Sequence, residues 1–402
     1  MSEVTHFGAI VLVVSAAFAV ALLSNKLTEW IPVPTPAIFL LGAAGLAKAF
    51  PGATNEISIK DVERIAVVAL TFILFDGGLR VGWRRVRESA TPIVSLGLLG
   101  TFATAGLMLL AAHFVLGFGW KTAALVGAAV APTDPAVMFS VLGRREVTGR
   151  TGTILEGESG ANDPVGIALM LAVVGVAQSH PKSAGHVVAD FFLQLGVGLA
   201  VGAAGSWLFV QFVRHVELRD AALYPLRTLA FAGIVYGIAA VLHGSGFLAA
   251  YVAGILIGDL DLPAKRRIRA FHTSIASLAE IVVFVALGLT VHIAPFGNGT
   301  IWWQGAVLFL LLAFVARPVA VGPLLLPIRL ARGERLFVMW GGLKGAVPIL
   351  LASFAVLGGV DGATRIYGIV FIVVGLSVLL QGTTIPFAAA RLGIPMRTLR
   401  EL

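Results

Sequence analysis

The feature that most constrains this chain is a succession of apolar runs, each about twenty residues long and joined to the next by a short polar loop. Twenty helical residues rise roughly 30 Å, the thickness of a bilayer's hydrocarbon core. Within lipid no water meets a free N–H or C=O, so such runs must satisfy their backbone internally, as helices do. About thirteen segments can be drawn, with edges uncertain by a few residues. They lie at about 6–25, 32–50, 62–79, 91–116, 119–142, 150–178, 187–213, 222–242, 245–258, 271–293, 302–327, 335–357 and 366–390. The eighth and ninth, meeting at Gly244-Ser245-Gly246, could count as one. The expected fold is an all-α polytopic membrane protein, residues 1–402 forming a single membrane domain, with no tail left over for a soluble one. Composition agrees: 58% of residues are hydrophobic and 12% charged, against about 45–50% and 25% in soluble domains.

The placement of charge sets the expected orientation. With the N-terminus outside, 21 of the 29 Lys and Arg residues fall in inner loops and the C-terminal tail, among them Arg80, Arg84, Arg85, Arg87, Lys265, Arg266, Arg267 and Arg269. Six fall outside: Lys48, Lys60, Arg64, Lys121, Lys182 and Arg365. This is the positive-inside pattern, and it puts the C-terminus in the cytoplasm. The same distribution excludes nucleic acid as a partner, because the net charge of +8 marks topology and forms no single patch. The partner along the surface is membrane lipid, with Trp30, Trp83, Trp120, Trp302 and Trp303 near segment ends as interface anchors. Met1–His6 carries no Lys or Arg before its apolar run and no convincing small-residue cleavage site, so the first segment is expected to be retained. The absence of cysteine excludes disulfides and thiolate metal sites.

Two basic residues, Arg317 and Lys344, lie inside apolar segments, together with Asp134, Glu158, Asp163 and Glu280; Asp76 sits near the inner end of the third segment. An ionised side chain at the bilayer centre costs several kcal/mol, so these residues are functional candidates. Salt bridges holding helices together are the structural alternative, but acids outnumber bases and leave a carboxylate to titrate.

The fifth segment contains Ala131-Pro132-Thr133-Asp134-Pro135. Two prolines three apart remove two donors and clash with the preceding turn, so the helix should break there. A break frees carbonyls such as that of Thr133 and exposes half-helix dipole ends, beside which Asp134 could neutralise a positive end or ligate a cation. Gly341-Gly342-Leu343-Lys344-Gly345-Ala346-Val347-Pro348 breaks the twelfth segment in the same way, and Lys344 suits negative helix ends. Interrupted helices in corresponding positions of two halves point to an inverted-repeat transporter. The halves are expected at about 6–178 and 222–390, joined by the helix at 187–213. In the sixth segment, Ser159 and Asp163 are four residues apart and share a helix face, presenting a hydroxyl and a carboxylate to an alkali cation. Glu156 lies nearer the inner end and is left outside the site.

These motifs carry a resemblance. Thr133-Asp134-Pro135 followed by Glu158-Ser159-Gly160-Ala161-Asn162-Asp163, with Phe75–Leu79, Ala316-Arg317-Pro318 and Gly342–Pro348, resembles the cation:proton antiporters of the NhaP and NHE type, and covers nearly the whole chain. The resemblance implies a mobile core, here about 91–178 and 302–390, beside a dimerisation domain, and a homodimer in the inner membrane of a bacterium. It implies Asp163 as the principal cation and proton site, with Asp134, Ser159 and the Thr133 carbonyl completing the shell. Glu158 would pair with Arg317, and Asn162 would help fix the core. Because electrogenic relatives carry an aspartate at the Asn162 position, it further implies electroneutral exchange of one Na⁺, Li⁺ or K⁺ for one H⁺. Lys344 departs from the family's usual Arg, which is not a conservative change at a bidentate contact and bears on any pairing with Asp76. The chain ends shortly after its last span, so no large cytoplasmic regulatory domain is expected.

A buried carboxylate favours its neutral form, whereas a bound cation stabilises the charged one. One site can therefore hold a proton or a cation but not both, and competition alone yields exchange if only the occupied site crosses. No cofactor is expected and the chain is read as a transporter, not an enzyme. His-Glu-x-x-His and Gly-x-Ser-x-Gly spacings are absent, and His243, His272 and His292 are placed singly near loop ends as solvated residues. A K⁺/H⁺ exchanger is the near alternative; a sodium-coupled symporter or a cation channel is more distant, since no Thr-Val-Gly-Tyr-Gly filter occurs.

Overall fold

A computed structural model describes residues 33–49, 58–142, 145–178, 183–293, 296–297 and 299–398. The first apolar segment, at 6–25, lies outside the described residues; the other twelve all fall on helices. These are α1 (Thr35–Ala49), α2 (Ile59–Glu88), α3 (Ala90–Phe114), α4 (Trp120–Val130), α5 (Pro135–Leu142), α6 (Gly149–Ala177) and α7 (Ala184–His215). They continue with α8 (Leu223–Val241), α9 (Gly246–Gly258), α10 (Lys265–Leu289), α11 (Gly299–Leu325), α12 (Arg332–Trp340), α13 (Ala346–Leu357) and α14 (Ala363–Arg391). Among the described residues eight helices are long and apolar enough to cross a membrane, and α1, α4, α9 and α13 are shorter apolar helices.

Several boundaries differ from the hydropathy pattern for identifiable reasons. The eighth and ninth segments are two helices, because His243 takes a left-handed conformation (φ 58°) and Ser245 caps α9 by accepting the Leu248 N–H. Helix α2 runs past the apolar run to Glu88 by kinking at Gly82 (φ 70°), where the Asp259 carboxylate accepts the Arg84 N–H at 2.6 Å. Helix α10 starts at Lys265, one and a half turns before its apolar run. Consequently His272 is not a solvated loop residue: it is fully buried, 2.7 Å from the Thr228 hydroxyl of α8 and packed on Phe75 of α2.

The fold also contains a strand pair that apolar spacing does not announce. Strand β1 (Arg145–Val147) pairs antiparallel with β2 (Met396–Thr398), tying the segment before α6 to the chain after α14. These segments and the C-terminal end of α2 share one end of the bundle, where Arg85, Arg150 and Arg397 line a common cavity. At another place Arg365 of α14 reaches Gln304 of α11 and lies over Phe118, before α4.

Packing divides the helices. Helices α3–α6 and α11–α14 pack chiefly on one another, and α1, α2 and α7–α10 form a second group. The small residues Gly198 and Gly202 of α7 face the backbone of α9, so this glycine stripe serves internal packing. The two groups meet where α6 packs against α2, α7 and α9, and where α13 packs against α2 and α10. Helices α3, α11 and α14 each relax into a wider π-type turn, at Ser95–Gly100, Leu312–Ala316 and Ser377–Gln381.

Candidate ion site

The breaks in the fifth and twelfth segments meet. Helix α4 stops at Val130, and Pro132-Thr133-Asp134 run non-helically before Pro135 opens α5, where its missing N–H costs nothing. Helix α12 stops at Trp340 and α13 begins at Ala346. The Asp134 N–H donates to the Leu343 carbonyl at 2.8 Å, joining the two breaks through their backbones. Lys344 Nζ donates to the carbonyls of Ala131 and Pro132, each at 2.8 Å, at the negative end of α4. Lys344 is 1% exposed. The Asp134 carboxylate lies against Gly345, at the positive end of α13, where any side chain on Gly345 would overlap it.

Three further contacts fix the breaks to α6. Ser159 Oγ donates to the Thr133 carbonyl at 2.6 Å. Asn162 Nδ2 donates to the Thr133 hydroxyl at 2.8 Å, and its Oδ1 accepts the Thr133 N–H at 3.3 Å. Glu158 forms a buried two-pronged pair with Arg317 of α11: Nη1 meets Oε1, and Nη2 donates to Oε2 at 2.9 Å. Arg317 also donates to the Val338 carbonyl of α12 at 3.3 Å and occupies the space beside Gly342. The loop around Lys344 is held from its other side by Ser377, which accepts the Lys344 N–H at 3.0 Å, and by Gln381, which donates to the Trp340 carbonyl at 2.6 Å.

Helix α6 thus faces two ways. Glu158 and Asn162 point into the α3–α6 and α11–α14 group as fasteners, while Glu156, Ser159, Gly160 and Asp163 line a cavity of about 380 Å³. The cavity lies between the two helix groups, with walls from α1, α2, α6, α9, α10 and α13, and includes Asp76, Asp134 and Glu280. Asp163 is 6% exposed, and its Oδ1 has no hydrogen-bond partner among the described residues. A buried acceptor left this way loses its hydration without replacement unless water or an ion fills the space. Pro164 has no N–H, so the Gly160 carbonyl also lacks its helical donor beside the same cavity.

Of the residues picked from sequence, Asp163, Asp134, Ser159 and Thr133 are brought together, with Asn162 behind them. Glu158, Arg317 and Lys344 hold the breaks and do not line the cavity. Asp76 lines the cavity but pairs with Arg80 at 2.6 Å, one helical turn away, and not with Lys344, whose ammonium is taken by carbonyls. The Thr133 carbonyl already accepts the Ser159 hydroxyl and offers a cation only its second lone pair. Sequence reasoning left Glu156 and Glu280 out of the site and did not single out Tyr251, though all three line the cavity. For Glu280 the signal was present as an intramembrane acid; for Tyr251 there was none, since one tyrosine in an apolar helix is ordinary. Among the described residues no three His, Cys, Asp or Glu side chains converge to cage a metal ion.

Comparison with known proteins gives a consistent result. The family model described as "Sodium/hydrogen exchanger, transmembrane" matches residues 7–391. The K(+)/H(+) antiporter NhaP of Alkalimonas amylolytica is 33% identical over 386 residues, covering 93% of this chain and 65% of that protein. NhaP2 of Shewanella sp. (strain MR-4), also named a K(+)/H(+) antiporter, is 31% identical and covers 95% of the chain and 67% of its own length. The chain therefore spans about two thirds of these relatives. The Na(+)/H(+) antiporter NhaP of Pseudomonas aeruginosa is 29% identical over 79% of the chain and 78% of its length. The solved structure of the sodium proton antiporter MjNhaP1 from Methanocaldococcus jannaschii superposes with a TM-score of 0.77 over 92% of this chain and 97% of that one, at 23% identity.

Proposed function

The chain belongs to the sodium/hydrogen exchanger family, a family of membrane transporters, and from that premise we propose that it exchanges one monovalent cation for one proton, with the two competing for Asp163. The observation that carries the proposal is the buried Asp163 oxygen without a partner, set in a cavity beside two crossing helix breaks. A proton would satisfy that oxygen as a hydroxyl; a cation would satisfy it as a counter-ion. Asp134, the Ser159 hydroxyl and the Thr133 carbonyl would complete the cation's shell.

The rest of the machinery follows from this reading. Both oxygens of Glu158 are taken by the Arg317 guanidinium on two prongs, so this pair fastens helices and offers the cargo no free carboxylate oxygen. Asn162 carries no charge, which supports electroneutral 1:1 exchange. The cavity lies between the two helix groups, so sliding α3–α6 and α11–α14 against the others would expose Asp163 alternately to the two sides. The paired breaks before α5 and α13 support repeats at about 6–178 and 222–390, joined by α7. The exposed apolar face of α7, with Phe192, Trp207 and Leu208, is where a second copy of the chain would pack, the rest facing lipid. Loop charge and the bacterial relatives support a plasma-membrane protein with its C-terminus inside.

K⁺ is favoured as cargo by one observation: the relatives named K(+)/H(+) antiporters match more of this chain, at higher identity, than the Na(+)/H(+) one. The test is proton flux in proteoliposomes under an imposed pH gradient, with K⁺, Na⁺, Li⁺ or choline added in turn and voltage clamped or free. Cation-dependent, voltage-indifferent flux that disappears in Asp163→Asn is expected. Undiminished flux, or undiminished proton release on cation addition to the purified variant, overturns the assignment.

A further inference from the structure

Three polar atoms on three helices end in or beside the same cavity without a hydrogen-bond partner among the described residues: Asp163 Oδ1 of α6, Tyr251 OH of α9 and Glu280 Oε1 of α10. Tyr251 is 3% exposed, and its ring occupies the space above Gly160, which brings the hydroxyl over the α6 face that carries Ser159 and Asp163. Three unpartnered polar atoms around one space are improbable as packing accidents, because each would forfeit its hydration for nothing. A cargo that fills the space would satisfy all three.

The helix groups divide these atoms. Asp163 belongs to the α3–α6 and α11–α14 group; Tyr251 and Glu280 belong to the opposing wall. The other acid on that wall, Asp76, already accepts from Arg80 at 2.6 Å and from Thr273 at 3.5 Å. Glu280 of α10, two helical turns beyond Thr273, has an oxygen still to be satisfied. The ionisable acids and bases that share the cavity with it are Asp134, Asp163, Asp76, Glu156 and Arg80, of which only Arg80 is basic and is engaged by Asp76. Carboxyl groups therefore outnumber bases around the cavity, a set of oxygen acceptors suited to a cation.

We infer that Glu280 and Tyr251 form the opposing half of the cation site, so that a partly hydrated monovalent cation binds between Asp163 on one helix group and Glu280 with the Tyr251 hydroxyl on the other. This deepens the antiport reading and rests on it. The cation joins the two groups when bound in this state, and sliding of α6 away from α10 strips half its shell. Glu280 does not travel with Asp163, so its charge does not cross the membrane and leaves the 1:1 stoichiometry intact. It sets how tightly the cation is captured from this side.

The experiment compares wild type, Glu280→Gln, Glu280→Asp and Tyr251→Phe in proteoliposomes, measuring exchange against K⁺, Na⁺ and Li⁺ concentration, with thermal melting of each purified protein. Glu280→Gln should raise the apparent cation KM about tenfold or more, the loss of one charge-assisted contact, with maximal rate within about threefold. Glu280→Asp should recover part of that affinity, and Tyr251→Phe should raise KM less than Glu280→Gln does. Should Glu280→Gln prove unstable, the melting temperature of Glu280→Asp and Tyr251→Phe as a function of K⁺ gives the same answer: ligand stabilisation should need higher K⁺ than in wild type. Unaltered cation KM in Glu280→Gln, or unaltered K⁺ dependence of melting in the other two, overturns the inference while leaving antiport through Asp163 standing. Absence of cation-dependent proton flux in the wild type overturns the antiport reading, and the inference with it.

Discussion

Replacing Glu158 by Gln gives the sharpest test of how the breaks are held. Arg317 is 3% and Glu158 1% exposed, and both prongs of the pair are made. Glu158→Gln leaves the guanidinium buried with only the Val338 carbonyl and an amide as acceptors. Removing one partner of a buried pair costs about 3–5 kcal/mol, mostly as the uncompensated charge that remains. Arg317→Met should cost a similar amount for the mirror reason. The double variant leaves no uncompensated charge at this pair, so it should lose far less than the sum, with a coupling of at least ~2 kcal/mol. The pair Asp61–Arg64, at 3.8 Å with side chains 62% and 66% exposed, is the internal control, and its removal should change stability by less than about 1 kcal/mol. Reversible denaturation in mixed micelles would read all five proteins. Because Asp163 is untouched, proton release on cation addition should persist in the folded fraction of Glu158→Gln, although transport slows as the loop beside Gly342 loosens. Single variants no worse than the surface control, with no coupling in the cycle, would refute the claim that this pair fastens α6 to α11 and α12.

Two further substitutions probe the crossing itself. Lys344→Met strips the ammonium donor from the Ala131 and Pro132 carbonyls and should destabilise the protein by about 2–4 kcal/mol, so a melting temperature equal to wild type would contradict the capping role; Lys344→Arg keeps donors but must fit a larger head at this 1% exposed position, and should also lower the melting temperature. Gly345→Ala places a methyl group where the Asp134 carboxylate lies, and should abolish exchange at near-normal expression. Retained flux there would show that Asp134 can leave the end of α13 without consequence.

Much of the architecture is legible in residue order alone, because lipid imposes a simple rule: long apolar runs become helices, and charge within them needs a reason. Asp134, Glu158, Asp163, Arg317 and Lys344 stand out for that cause, and the prolines and glycines around positions 132 and 345 announce the breaks. Which acid answers which base could not be read this way. Arg80 lies one turn from Asp76 and takes it, whereas Lys344 turns to carbonyls that exist as acceptors only because α4 stops. His272 looked like a loop residue until α10 began earlier than its apolar run. Tyr251 and Glu280 enter the site through contacts between helices far apart in the chain, and the β1–β2 pair joins segments some 250 residues apart that no periodicity links. The sequence by itself determined a helical membrane protein with buried carboxylates at broken helices, since hydropathy and backbone chemistry are local properties. Only the tertiary structure decided which oxygens are already satisfied and which are left for the cargo, since hydrogen-bond partners are allotted by packing across the bundle.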